Sequence, residues 1–314
     1  MAEPVFSEKI NEGEGTHQPV LVQEVLAALG CQPHAQKTYL DCTVGLGGHA
    51  EAILAATAPD GRVIGLDRDE AALALAERRL RPYQDRLLLR KGSLKALSET
   101  ARDLNLNEVD GILFDLGVSS MQLDQAERGF SFQKPGPLDM RMDRAQEETA
   151  ADLVNHASER QLFEIIRSYG EERWAKRIAE AVVRRRSEEG EIRRTEELEG
   201  VIWRAVPARE RHGRIHPATR TFQALRMAVN QELPELEAGL NAALSLLAIG
   251  GRLVVISFHS LEDRLVKQSF KRWGAEEPRR FTNLYKKPIR PRDEESARNP
   301  RARSAKLRAL ERAA

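Results

Sequence analysis

The sequence predicts an α/β fold: an open, doubly wound parallel sheet into which a helical segment is inserted. Three observations predict it. Strand-like and helix-like runs alternate over the first 120 residues. Aspartates and glycines recur where the strand-like runs stop. The alternation then gives way to a long helical stretch before a further strand pattern begins at Arg252. Strands alternating with helices imply right-handed crossovers and a parallel sheet. Such sheets bind ligands beyond the carboxyl ends of their strands, where the strand order reverses.

The elements follow in order. "KTYLDCTV" is β-branched and aromatic enough for a strand. "HAEAILAATA" is helical and stops at the Pro59-Asp60-Gly61 turn. "RVIGLD" is a second strand, ending at Asp67. "EAALALAERRL" has helical spacing and is closed by Pro82. "RLLLRKG" is a third strand, "LKALSETARDLN" a short helix, and "DGILFDLG" a fourth strand that ends at Asp115. "SSMQLDQAERGFSFQKPGPLDMRMDRA" is rich in Gly, Pro and Asp and is expected to be loop. Helix follows from Thr149, with Thr149/Asp152 and Ser158/Gln161 spaced as capping boxes. Leu162, Ile165, Ile166 and Tyr169 share one face. "TEELEGVIWRAV" continues the helical reading to Pro207. "TRTFQALRMAVNQELPELEAGLNAALSLLA" is expected to be one helix ended by Gly250-Gly251, and "RLVVISFHS" a fifth strand. "SAKLRALER" suits either a closing antiparallel strand or a short helix.

Gly45 to Ala50 spell G-x-G-x-x-A, and Asp67 lies twenty residues after Gly47. That is the dinucleotide fingerprint, in which a helix N-terminus holds a pyrophosphate and the acid holds a ribose. The same turn also lets the backbone approach the amino-acid end of S-adenosylmethionine (SAM). Two features favour SAM. Asp41 precedes the glycines as D-x-x-x-G-x-G, the first motif of class I methyltransferases, with Thr43 where many have a further glycine. Asp115 ends the fourth strand in "LFDLGVSS", where amino-methyltransferases carry an acid or amide facing the target amine. A lone strand-terminal aspartate is ordinarily turn chemistry. Here Gly45–His49, Asp67, Gly92–Leu94 and Asp115 all fall at strand ends of one sheet.

The chain has 314 residues, 41% hydrophobic and 31% charged, which suits one large domain or a domain with an insertion. No apolar run reaches the roughly 18 residues of a membrane span. The opening "MAEPVFSEKINEGEG" lacks an apolar core, so a loose leader over residues 1–16 is expected rather than a signal peptide. Two cysteines, Cys31 and Cys42, make neither a disulfide scaffold nor a four-cysteine zinc site, which points to a reducing cytoplasm. The net charge is +1, yet Arg264 to Ala314 hold 16 Lys/Arg against 6 Asp/Glu. The basic end suits either a polyanion partner or a solvated arginine-rich tail.

Longer motifs carry a resemblance. "HQPVLVQEVLAAL", "DCTVGLGGHA", "DGILFDLGVSSMQLDQAERGFSFQKPGPLDMRMD", "YGEERWAKRIA", "HPATRTFQALRMAVNQEL", "GGRLVVISFHSLEDR" and "NPRARSAKLRALER" together resemble the RsmH (MraW) family of bacterial 16S ribosomal RNA methyltransferases. The match runs in order from His17 to Arg312. The resemblance implies a class I SAM-dependent methyltransferase domain, Rossmann-like, over residues 17–120 and 217–314, interrupted by a helical substrate-recognition domain over 121–216. It implies methyl transfer to N4 of a cytidine in the decoding centre of the small-subunit RNA, with 16S rRNA in the small ribosomal subunit as partner. It also leaves a homodimer open. Carried over by motif, the cofactor contacts are Gly47, Gly48, His49, Asp67, position 94, Asp115 and Gln122. Two positions depart from the family pattern: Leu94 stands where an aromatic is common, keeping apolar burial without stacking, and Met121 replaces a proline before Gln122, which is expected to loosen that loop.

The chemistry these residues suggest needs no metal, because the sulfonium supplies the leaving group and positioning does most of the work. Asp115 is the candidate acceptor for the amine, with Ser119 and Ser120 beside it. Phe258 is a candidate to stack on the base, with a core role as the alternative. Ser257 and His259 are candidates to bond the base edge, with a helix cap the plainer role for His259. Phe281 and Tyr285 are candidate stacking residues among the basic stretches "ERHGRIHPATR", "EEPRRFTNLYKKPIRPR" and "NPRARS". The rival readings are an NAD oxidoreductase, a SAM enzyme with a protein or small-molecule target, and a non-catalytic RNA-binding protein on the same fold.

Overall fold

A computed structural model describes residues 19–313 apart from 214, 277 and 279; the expected leader over residues 1–16 lies outside them. Seven strands form one sheet: β1 (Thr38–Asp41), β2 (Arg62–Asp67), β3 (Leu87–Lys91), β4 (Val109–Asp115), β5 (Leu247–Ser257), β6 (Phe281–Asn283) and β7 (Lys306–Arg312). Their order is β3-β2-β1-β4-β5-β7-β6. β1 to β5 are parallel, and β7 runs antiparallel to both of its neighbours. The order reverses between β1 and β4, so the ends of those two strands frame the crevice where ligands of such sheets bind.

Both faces of the sheet are covered, which is why its strands read as nearly continuous apolar runs. Along β4, Ile112 and Phe114 face one core and Leu113 the other. Along β5, Leu253 and Val255 join the first core, Val254 and Ile256 the second. The helices Glu232–Leu246 and Ser260–Trp273 close the first core through Leu236, Leu240, Val266 and Phe270. The helices Val22–Leu29, Gly48–Ala56 and Glu70–Leu80 close the second.

A third core is shared by the inserted segment and the helix that follows it, which lies beyond the expected bound at residue 216. The helices Ala150–His156, Glu159–Gly170, Ala175–Glu189, Thr195–Ala205 and Ala218–Val229 bury Val154, Leu162, Ile166, Ile178, Val182, Leu198, Ile202, Phe222 and Leu225 against one another. Both capping boxes form: Thr149 with Asp152, and Ser158 with Gln161.

The structure corrects several expectations. The single helix expected from Thr219 to Ala248 is two, broken at Asn230 and at Gln231, whose φ is +49°. The side chain of Asn230 explains the break: its Nδ2 donates to the Met140 carbonyl at 2.7 Å and its Oδ1 accepts from the Met142 N–H at 2.8 Å. The chain is held to the insert there instead of continuing as helix. Gly250-Gly251 does not end a helix; the helix ends at Leu246, and β5 already runs through the glycines with a register shift opposite Val109–Gly111. β5 stops at Ser257, and Ser260 begins a helix. "SSMQLDQAERG" contains a short helix, Ser120–Asp124, rather than loop alone. Met121 is buried within that capped turn. Of the open alternatives for the last segment, the antiparallel strand forms.

Insert and sheet are joined through Asp69. Its Oδ1 caps the helix Glu70–Leu80 by accepting from the Ala71 N–H, and its Oδ2 accepts from Arg128 Nη1 at 2.7 Å and Gln122 Nε2 at 2.8 Å. Asp69 and Arg128 are both buried. The second Arg128 nitrogen, Nη2, donates to the carbonyls of Arg141 and Met142. Removing one partner of a buried pair strands the other charge, which costs about 3–5 kcal/mol. Arg128→Ala is therefore expected to lower stability by about that amount in urea unfolding; an unchanged midpoint would show that the pair does not hold the two parts together.

Candidate active site

The glycine-rich turn begins where β1 ends. Gly45 and Gly47 take φ of +51° and +82°, a region that favours glycine. A Cβ on Gly47 would lie 2.9 Å from Leu80 Cδ1, and one on Gly48 would lie 3.0 Å from Pro19 Cγ. The turn is braced from β2: the Gly45 N–H donates to Asp67 Oδ2 at 2.8 Å, and Asp67 Oδ1 accepts from the Asp69 N–H at 2.9 Å. It is braced from β4 as well, because the Asp115 N–H donates to the Thr43 hydroxyl at 2.6 Å. Thr43, which replaces a glycine of the general motif, thus staples the two strand ends at the point of order reversal.

A cavity of about 980 Å³ opens at the carboxyl ends of β1, β2, β4 and β5. Of the candidate residues, Gly48, His49, Asp67, Leu94, Asp115, Gln122, Phe258 and His259 line it. Gly47 and Ser257 do not. Gly47 faces Leu80, and Gly45 and Leu46 supply the wall in its place. Ser257 is buried in β5, its hydroxyl donating to the Lys306 carbonyl at 3.4 Å. Gln122 lines the wall with its amide engaged: Nε2 donates to Asp69 and Oε1 accepts from the Ser119 N–H. Leu94 is buried against Gly239, where a Cβ would come within 2.8 Å of Leu94 Cβ. Phe281 is a core residue under the first face of the sheet, so it is not available to stack on a base. Tyr285 packs half-buried against the second core.

The polar groups at the centre are close and incompletely bonded. His49 Nε2 lies 3.4 Å from Asp115 Oδ2, near enough to pair electrostatically but too poorly aligned for a hydrogen bond. Asp115 Oδ1 is buried and has no hydrogen-bond partner among the described residues. Burial alone would pull the His49 imidazolium down, but Asp115 and then Asp41 hold its pKa above the ordinary histidine value. Asp41 sits beneath, almost wholly buried, and burial pushes its carboxyl up to about 7. Burial likewise raises Asp67, against the two backbone N–H groups it accepts.

The far wall was not legible as a site. Its members are Gln223, Arg226, Glu232 and Glu262. Arg226 grips Glu232 with two hydrogen bonds, at 2.7 and 2.8 Å. Glu262 Oε2 accepts from the Phe258 N–H at 2.9 Å, and Oε1 lies 3.1 Å from His259 Nε2. Burial would raise the Glu262 pKa, but His259, Arg226 and the Phe258 N–H together hold it below the usual carboxylate range. His259 caps the helix Ser260–Trp273 with Glu262 as the reciprocal partner, so it is both a cap and a wall residue. Glu232, His259 and Glu262 bring ligand atoms within 4.8 Å of one another, and the nearby positive charge is the guanidinium of Arg226.

These residues fit SAM. The site offers an apolar wall at Leu94, a tight glycine turn, and carboxylates at Asp67 and Asp115 that favour a cation. Its volume is that of a small-molecule cleft.

The Asp41 shift has a testable sign. A carboxyl raised from 3.8 to about 7 keeps its proton in the folded state where the unfolded chain has lost it. Stability therefore falls as pH rises between those two values. Asp41→Asn, which cannot ionise, should be increasingly more stable than the parent from pH 5 to pH 8. Urea midpoints at the two pH values measure this, and a difference between the proteins that does not change with pH would refute it.

Comparison with known proteins agrees with this geometry. The MraW methylase family matches residues 14–313. The chain is 49% identical to the ribosomal RNA small subunit methyltransferase H of Symbiobacterium thermophilum, covering 94% of this chain and 96% of that one. It is 51% identical to the protein of that name from Geobacter sulfurreducens, covering 94% and 98%. Among solved structures, a SAM-dependent O-methyltransferase from Thermotoga maritima aligns with a TM-score of 0.43 and 10% identity over 95% of this chain and 68% of that one. With a family match over nearly its whole length and relatives at about half identity, the chain belongs to the MraW methylase family.

Proposed function

We propose that this enzyme transfers the methyl group of SAM to the N4 amine of a cytidine in the decoding centre of 16S rRNA, within the small ribosomal subunit. The relatives' names support an RNA substrate of the small subunit. The observation that carries the choice of an amine is Asp115: its carboxylate ends β4 in the cavity, with Oδ1 unbonded among the described residues.

The cofactor, when bound, supplies an electrophilic methyl group on a sulfonium that leaves as a neutral thioether. The chain's work is to place the amine in line with that methyl group. The lone pair of a cytosine amine is delocalised into the ring. The Asp115 carboxylate, accepting one N4–H, draws the nitrogen toward a geometry in which that pair can attack. His49 Nε2, 3.4 Å from Oδ2, pairs electrostatically with that carboxylate. The proton released on transfer passes to the Asp115 carboxylate and on to solvent. Phe258 and His259 form the opposite wall, fixed by Glu262, and suit a flat base. Ser119 is less available, because its hydroxyl accepts from the Gln122 N–H; Ser120 lines the wall nearby. A base within structured RNA must be unstacked to reach this depth. The insert provides the surface for the surrounding RNA.

Asp115→Ala should lower methyl transfer to under-modified small subunits by about 10²–10⁴-fold, the usual contribution of a positioned proton acceptor. SAM binding should weaken far less than that, because the glycine turn and Asp67 remain in the cavity wall. Mass spectrometry of the RNA with labelled SAM identifies the base and atom. Full activity in Asp115→Ala, or label on an atom other than N4 of cytidine, would overturn the assignment.

A further inference from the structure

The charge of the cavity is divided by depth. The carboxylates of Asp67, Asp115, Glu232 and Glu262 line its interior. Four arginines also reach its wall. Two are committed to the protein: Arg68 donates to the Asn230 carbonyl, and Arg226 grips Glu232. The other two, Arg298 and Arg301, stand at the mouth, on a short strap formed by the helix Asp293–Arg298 and the 3₁₀ turn Pro300–Ser304.

The strap is anchored. Ala302 and Ala305 are buried in the core beneath it. Glu295 Oε1 accepts from the Leu21 N–H at 2.7 Å, joining it to the first helix. Arg298 and Arg301 lie between the anchors Glu295 and Ala302 and are exposed. They are presented by a packed backbone, not by a loose basic tail. Arg301 reaches across the mouth to Asp124, at 2.8 Å. That pair is 43% and 64% exposed, the kind worth little in water and readily exchanged. Arg298 makes no ion pair among the described residues.

We propose that Arg298 and Arg301 are a phosphate clamp for the RNA backbone on either side of the target nucleotide. The proposal rests on the RNA-substrate reading above. An interior lined by carboxylates repels phosphate, so the base enters while its flanking phosphates stop at the rim. Guanidinium groups there match phosphate oxygens two by two. Phosphate displaces Asp124 from Arg301, exchanging a weak solvent-exposed pair for a stronger contact.

The test is binding of under-modified small subunits to the full-length protein across a salt series, with SAM affinity measured by calorimetry. Each arginine removed should lower the slope of log affinity against log salt by about 1, so Arg298→Ala with Arg301→Ala should lower it by about 2. KM for the subunit should rise on the order of tenfold or more, with SAM affinity unchanged. Arg→Lys at both positions should restore the slope, which a merely structural defect would not allow. Asp124→Asn should tighten RNA binding by removing the competing acid. An unchanged slope in the double alanine variant, or a loss confined to SAM affinity, would overturn the clamp. The two readings fail separately: if the parent protein methylates another atom while the slope still falls, the clamp stands and the cytidine assignment does not.

Discussion

The arrangement depends on a buried carboxylate at the end of β2. Asp69 caps one helix, accepts from Gln122 in the short helix after β4, and pairs with Arg128 at the head of the insert. Arg128 then spans to the carbonyls of Arg141 and Met142, and Asn230 takes up the same segment from the far side. The hydrophobic cores of sheet and insert are thereby held in one relation, with Arg264–Glu171 and Lys91–Asp143 as further links. A charge so deeply buried is tolerated only because its partner and its remaining hydrogen bonds are supplied together.

The active cavity is a consequence of that relation. Its near side comes from strand ends of the sheet and its far side from Gln223, Arg226 and Glu232, on the two helices that meet at Asn230. Closing the crevice this way removes water from around Asp41, Asp67 and Asp115, and burial shifts the first two upward. An acidic, partly dehydrated floor beside a glycine turn suits a cationic cofactor better than a pyrophosphate. The fingerprint G-x-G-x-x-A is common to both chemistries, and it is the surrounding acids that separate them. Arg298 and Arg301 then bring positive charge to the wall of the same cavity, from one packed turn and the helix before it.

Much of the fold was legible because its signals are local. The strand ends at Asp67 and Asp115, the helix Glu70–Leu80 and both capping boxes follow from side-chain period and from residues that bond their own backbone. The site residues at those strand ends were legible for the same reason, since a parallel sheet brings them to one edge. Where the reading failed, a distant partner decided. Pro234, in the first turn of the second helix, is a local sign of a break, but what fixes it at Asn230 is a backbone segment about ninety residues earlier. Phe281 looks like a stacking residue among basic neighbours, yet the sheet buries it. Ser257 shares a motif with Phe258 and His259, but strand alternation turns it toward β7.

The sequence by itself determined the α/β class, the interruption by helices, the glycine turn with its acids, and the basic end of the chain. Each is written in period, spacing or composition, which short-range physics reads without knowing the rest. Tertiary structure alone decided which acids would be buried beside His49, that Arg226 and Glu262 would face the same cavity, and that two arginines of a basic tail would stand at its mouth. Those facts depend on where segments one or two hundred residues apart come to rest. Burial and charge pairing at such distances exist only once the chain has folded.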